Sequence, residues 1–222
     1  MYSSRTITSR GTESVLATNK VIRNTYILLS ATLLFSAVTA AYAVVSEARP
    51  LVWWVVMLGY FGLLFLTNAL RNSGLGLLAV FALTGFMGYT LGPIVGFYLH
   101  LPNGGQLVMT ALGGTGLIFL GLSAYALTSR KDFSFMGGFL MAGILVAFLA
   151  GLAAMFFQMP ALSLGVSAMF MLLMAGLILY QTSEIIHGGE TNYIMATVTL
   201  YISIYNLFLS LLQLLGAFSG DD

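Results

Sequence analysis

A chain of 222 residues that is 59% hydrophobic and only 7% charged, with a mean hydropathy of +0.97, excludes an ordinary water-soluble domain, in which about 25% of residues carry charge. Its net charge of +1 offers no electrostatic footprint for nucleic acid. The absence of cysteine excludes disulfides, thiolate metal sites and cysteine nucleophiles.

Met1 to Lys20 is polar, rich in Ser and Thr, and lacks the short apolar core and cleavage site of a signal peptide. This stretch, residues 1–20, reads as a disordered cytoplasmic tail ahead of a single transmembrane domain at residues 21–222. Seven apolar stretches follow: Thr25 to Val45, Leu51 to Leu70, Leu75 to Leu99, Gln106 to Thr128, Phe135 to Phe157, Ala161 to Thr182 and Tyr193 to Ala217. Each has roughly the 20 residues that an α-helix needs to cross the hydrocarbon core. Inside lipid every backbone amide must be satisfied within its own segment, so these stretches are predicted as helices rather than open strands. The fold class is therefore an all-α membrane protein, a seven-transmembrane-helix bundle. Breakers such as Arg49-Pro50, Asn72-Ser73-Gly74, Pro102-Asn103-Gly104-Gly105, Met159-Pro160 and His187-Gly188-Gly189 mark short connections. Short connections predict that successive helices pack as antiparallel neighbours.

Cytoplasmic flanks collect Lys and Arg. With the N-terminus inside, Arg5, Arg10, Lys20, Arg23, Arg71, Arg130 and Lys131 are cytoplasmic and Arg49 alone lies outside. An odd number of spans then puts the C-terminus, with Asp221 and Asp222, on the far side.

In the third span Gly85, Gly88, Gly92 and Gly96 share one face, where a neighbouring backbone can approach closely. Packing is the first reading of that face and a ligand or flexing role the second; Pro93 in the same run is expected to kink the helix. In the last span Thr199, Ser203, Asn206, Ser210 and Gln213 recur at the helical period and line one face. An amide facing lipid lacks partners, so this face should point into protein and the seventh helix should be central. The stripe serves either hydrogen bonding between helices or a hydrated ion path.

Between the sixth and seventh spans the run Gln181 to Asn192 holds Glu184, His187 and Glu190. Two carboxylates and an imidazole this close together bind a cation or titrate near neutral pH if they are partly buried, and otherwise form a solvated loop. Arg71, Arg130, Lys131 and Asp132 read as interfacial anchors, with an ion pair from Arg71 to Glu184 or Glu190 as the alternative. Several enzyme classes fail on residues. No span contains the Lys or His base that an intramembrane serine nucleophile needs. A helical His-Glu-x-x-His is absent. The only aspartates are Asp132, Asp221 and Asp222, too few within spans for aspartyl proteolysis. The chain is read as a non-enzyme without a cofactor.

The run EIIHGGETNYIMATVTLYISIYNLF at Glu184 to Phe208, with GFMGYTLGPI at Gly85 to Ile94 and LTSRKDFSFMGG at Leu127 to Gly138, resembles the Bax inhibitor-1 family over nearly the whole chain from Asn19 onward. The resemblance implies a seven-helix fold with a central last helix. Members of the wider family are regarded as pH-sensitive calcium leak channels, gated by an aspartate in a Tyr-Asp motif ending the sixth helix and another in a Leu-Tyr-x-Asp motif in the seventh. Here those positions read Tyr180-Gln181 and Leu200-Tyr201-Ile202-Ser203. Both acids are missing, and an amide and a hydroxyl do not change charge with pH; Glu184, His187 and Glu190 are the candidate substitutes, with Asn206 a further candidate on an ion path. The bacterial subgroup that the IIHGGETNYI run resembles is associated with the membrane-anchored ATP-dependent protease FtsH, as substrate and as modulator. The resemblance thus implies an inner-membrane regulator of FtsH, with a cation leak as the alternative; a protease of this kind must grip a disordered tail before pulling, and Met1 to Lys20 supplies one.

Overall fold

The computed structural model describes residues 4–219, with side chains described from Thr18 onward. Among the described residues seven α-helices follow one another: α1 (Ser4–Val45), α2 (Trp53–Leu70), α3 (Leu75–Leu99), α4 (Gly104–Ser129), α5 (Gly137–Phe156), α6 (Pro160–His187) and α7 (Tyr193–Phe218). All seven are long and apolar enough to cross a membrane, α1 through its part from Thr18 to Val45. The chain is an all-helical, multi-pass membrane protein.

Two boundaries differ from those read in the sequence. α1 begins at Ser4 rather than Thr25, so the backbone of residues 4–17 is helical where a tail was expected. Once a helix is nucleated each further residue adds a hydrogen bond, and polar residues can extend it without tertiary contacts. Residues 1–3 of the expected tail lie outside the described residues. α6 runs to His187, past Thr182, because Ser183 and His187 hydrogen-bond to the α4–α5 connection and Ile185 packs into the core. Pro93 sits inside an unbroken α3, and Pro160 opens α6, a position where its missing N–H costs nothing.

The order of packing also differs. Short loops predicted sequential antiparallel neighbours, yet α1 lies mainly along α3, with a second seam on α7. The glycines explain this. A Cβ on Gly85 would stand 2.6 Å from the Phe35 ring, one on Gly88 would run into Thr39 and the Ser36 carbonyl, and one on Gly92 would meet Ala43. Backbones this close exclude any side chain and maximise contact between helices in lipid. The partners advance in step along both chains, so α1 and α3 run parallel.

The last helix is the axis of the bundle. α7 touches α1, α3, α4 and α6, and its membrane-spanning window has the largest buried share of any span, 50% against 6% for α2. The core centres on Leu200, Tyr201 and Leu207 of α7 with Val80 and Leu83 of α3 and Ile178 and Ile185 of α6. α2 leans on α3, and α5 on α6, as outer helices.

Candidate functional site

Three connections meet at one end of the bundle. The α2–α3 connection carries Arg71, the α4–α5 connection carries Arg130 and Lys131, and the α6–α7 turn carries Glu190; this is called the basic end below. Gly188 stops α6 with φ +80, a left-handed conformation that a side chain would strain, and the Gly189 and Glu190 N–H groups donate back to the Glu184 carbonyl at 2.8 and 3.1 Å. Asn192 then opens α7. Its Oδ1 accepts from the Ile194 and Met195 N–H groups at 3.0 and 3.1 Å, which caps the helix. Its Nδ2 donates to the Arg71 carbonyl at 3.0 Å and to Asn72 Oδ1 at 2.9 Å. One side chain therefore starts α7 and ties it to the α2–α3 connection.

A second tie joins α6 to the α4–α5 connection. Ser183 Oγ accepts from the Phe133 N–H at 2.9 Å and lies 3.3 Å from the Lys131 carbonyl, to which it donates. His187 Nδ1 faces the Ser183 carbonyl at 2.9 Å, and its Nε2 faces the Arg130 carbonyl at 3.2 Å. Nδ1 also lies 3.3 Å from Ser183 Oγ, so the imidazole sits between α6 and the α4–α5 connection. In the same connection the Ser134 N–H donates to Asp132 Oδ1 at 2.9 Å. This bond, with the Ser134 hydroxyl and nearby His187, holds the Asp132 carboxyl below the usual carboxylate range. The depressed value means that its contribution to the turn is present above about pH 4, the unfolded value, and is lost as pH falls through the folded one.

The sequence-selected residues divide between these places. Glu184 is half-buried on α6, its carboxylate against Gly189; Glu190 Oε1 accepts from the Asn192 N–H at 2.7 Å; His187 is exposed. Among the described residues no three of His, Asp and Glu converge as a metal site. Arg71 Nη1 donates to Asn68 at 3.2 Å, within its own helix end. Gln181 is buried on α6, 6% exposed, with its Nε2 lacking a protein partner. In the α7 stripe, Ser203 Oγ donates to the Thr199 carbonyl at 2.8 Å and Asn206 Nδ2 to the Ile202 carbonyl at 2.9 Å, both within the helix. Gln213 alone of these reaches across, accepting from Ser167 Oγ at 2.7 Å and donating to Ser163 Oγ at 2.6 Å. Of the stripe, Ser203 and Ser210 are buried and Thr199, Asn206 and Gln213 half-buried, and two of the five, Ser203 and Asn206, are bonded to their own helix backbone.

Three residues that hold the centre and the basic end together were given no individual role from sequence, although two of them lie in the Gln181 to Asn192 run. Tyr201 is 1% exposed; its hydroxyl donates to the Thr84 carbonyl at 3.2 Å and accepts from Ser36 Oγ at 2.6 Å, joining α7 to α3 and α1. Ser183 and Asn192 are the others. For Asn192 the signal was available, since an Asn directly before a helical run is an N-cap. Two crevices flank α7 within the membrane span. One of 420 Å³ opens between α2, α3, α5 and α6 with Asn206 and Thr90 in its wall, and one of 560 Å³ opens between α1 and α4 over Tyr201 and Phe208.

These features define a polytopic α-helical membrane protein wrapped round its C-terminal span. The chain belongs to the Bax inhibitor-1 family: the family profile described as inhibitor of apoptosis-promoting Bax1 matches residues 18–220. Among its relatives, an uncharacterised protein of Pseudomonas aeruginosa is 57% identical over 205 residues, 91% of each chain. A protein of Escherichia coli K12 named modulator of FtsH protease YccA is 53% identical over 208 residues, 94% of each chain. An uncharacterised membrane protein of Vibrio cholerae is 46% identical over 211 residues, 95% of each chain.

Proposed function

We propose that this protein is an inner-membrane regulator that binds the membrane-anchored protease FtsH and slows it by occupying it. The observation that carries the reading is the 53% identity, over 94% of the chain, to a protein named modulator of FtsH protease; a relative from another Escherichia coli strain, also 53% identical, is named an inner membrane protein. The basic end is taken as cytoplasmic, which puts the N-terminal segment on the side of the protease's ATP-driven machinery. That segment, Met1 to Lys20, has too few apolar residues to bury and is suited to being gripped.

The packing supports slow extraction. Pulling on the N-terminal segment loads α1, whose seam with α3 is closed by Gly85, Gly88 and Gly92 and whose Ser36 is bonded to buried Tyr201. The contacts along such a seam break together rather than one at a time, because packed interiors do not deform continuously. A calcium-leak reading lacks comparable support, since Gln181 and Ser203 carry no charge and Ser203 is bonded to its own helix.

The test is purification from native membranes with and without residues 2–18. The full chain is expected to co-purify with FtsH and to slow degradation of a second membrane substrate. The truncated chain should lose both behaviours while keeping its thermal unfolding midpoint in detergent. Unchanged turnover of the truncated chain would count against the tail as the handle. Failure of the full chain to co-purify, together with calcium flux in proteoliposomes, would replace regulation by leak.

A further inference from the structure

Most hydroxyls inside these helices fold back onto their own backbone: Thr67 donates to the Leu63 carbonyl at 2.7 Å, Thr115 to Ala111 at 2.7 Å and Thr197 to Tyr193 at 2.7 Å. Such bonds are the default for Ser and Thr in a helix. Thr25, Ser123 and Thr182 do not make them. These side chains are 0%, 3% and 1% exposed, yet their hydroxyls have no protein partner; the Nε2 of Gln181 and the phenol oxygen of Tyr26 are likewise buried and unpartnered.

The five groups lie in one layer, between about one and two turns inside the basic end. Thr197 Oγ1 reaches the Thr25 carbonyl at 3.3 Å, placing Thr25 and Tyr26 one turn into α7 from its basic-end start. The Tyr26 ring lies 6.2 Å from that of Phe119, one turn along α4 from Ser123. His187 meets the Arg130 carbonyl, which sets the ends of α6 and α4 level. Counting back from that level, Ser123, Gln181 and Thr182 all lie about two turns, or about 10 Å, inside the basic end. α6 packs against both α4 and α1. Hydroxyl and amide groups from three helices therefore occupy the same layer, where α6 packs against α4 and α1.

We infer that this junction binds a cluster of water molecules bridging Thr25, Tyr26, Ser123, Gln181 and Thr182. Buried polar groups without a partner cost free energy, and five in one layer is far from the dispersed occurrence expected of native proteins. The set is uncharged, which disfavours a metal ion. Four of its members are hydroxyls that both donate and accept, which matches water, whose buried molecules make about three hydrogen bonds each to such groups. The cluster serves as polar mortar between three helices that share no direct side-chain hydrogen bond at this depth among the described residues, and it carries solvent well inside the basic end.

The sign of a stability change separates a hydrated junction from a dry one. In a dry junction Thr182→Val removes an unsatisfied hydroxyl and raises the thermal midpoint. In a hydrated one it takes a partner from the water and the midpoint falls; the same direction is expected for Ser123→Ala. A midpoint that rises or stays unchanged in both variants overturns the inference. A direct reading comes from water-edited solid-state NMR of the unaltered protein in bilayers, with the Gln181 side-chain amide identified by its loss in Gln181→Asn. Transfer from water to that amide should be several-fold faster than to the buried backbone amide of Leu207. Equal, slow transfer to both sites overturns the inference independently of stability.

Discussion

At the level of single residues, the most informative side chain is Asn192, because two jobs of one amide can be separated. Its oxygen caps α7 and its nitrogen holds the α2–α3 connection. Asn192→Asp keeps an excellent cap, with added attraction to the positive helix start, but can no longer donate to Arg71 and Asn72. Asn192→Ala loses both. Thermal midpoints followed by far-UV circular dichroism should therefore order the unaltered protein above Asp and Asp above Ala, with the Ala variant down by about 2 kcal/mol from a lost cap and lost tether. Equal midpoints for Asp and Ala would mean that the cap contributes nothing here. The sequence displayed this neighbourhood as one run with two glutamates and a histidine. It could not display how the run is divided, because Glu184 and His187 are on a helix while Glu190 lies beyond the Gly188 reversal, where helical spacing no longer governs direction. Tyr201 was hidden for a different reason: an apolar-looking aromatic in a span gives no sign that its hydroxyl is bonded on both sides.

At the level of elements, the glycine face of α3 was legible and its partner was not. Helical spacing put Gly85, Gly88, Gly92 and Gly96 together, but nothing in a sequence of similar apolar stretches says that α1 rather than α2 fills the groove. Gly96 also shows what the pattern alone overstates, since a Cβ there meets nothing within 4 Å. The reason is register: Gly88 faces Thr39 and Gly92 faces Ala43, so the partner of Gly96 would fall beyond Val45, where α1 has ended. Opposite outcomes follow for the same substitution. Gly88→Ala puts a methyl into the Ser36 carbonyl and should destabilise the bundle by about 1–3 kcal/mol. Gly96→Ala should be neutral or stabilise by up to about 1 kcal/mol through helix propensity. Denaturation in mixed micelles of the two variants side by side checks the pair, and a Gly88→Ala protein as stable as Gly96→Ala would contradict a close α1–α3 seam. The extension of α1 ahead of its apolar span was hidden for a related reason: hydropathy marks where a helix enters lipid, and says nothing of how far its polar turns continue in water.

At the level of the whole molecule, the number of spans was readable because lipid leaves the backbone no alternative to helices, and the central position of α7 was readable because its polar stripe needs protein around it. The two lateral crevices were not readable: the one beside Asn206 arises where α2 and α5 each lean on a single neighbour, and the one over Tyr201 and Phe208 lies between α1 and α4, whose spacing no sequence pattern displays. What the assembled bundle adds to the charge argument is cohesion. Asn192 bonds the α6–α7 turn to Arg71, and His187 bonds it to Arg130, so the basic residues of two separate connections stand at one physical end. Arg49 stands at the other, in the connection between α1 and α2. Insertion follows the distribution of Lys and Arg near span ends, and with seven membrane-length helices the two chain ends are expected on opposite faces. A fluorescent reporter that matures only in the cytoplasm should light up when fused before Met1 and stay dark after Asp222, whereas a phosphatase that needs the oxidising side should behave in reverse. Moving charge should weaken this preference: replacing Arg71, Arg130 and Lys131 with Gln while adding two Lys beside Arg49 should yield a mixed population, each fusion reporting on both sides. Retention of a single orientation in that variant would place the topogenic signal in the N-terminal segment alone, where Arg5, Arg10, Lys20 and Arg23 remain.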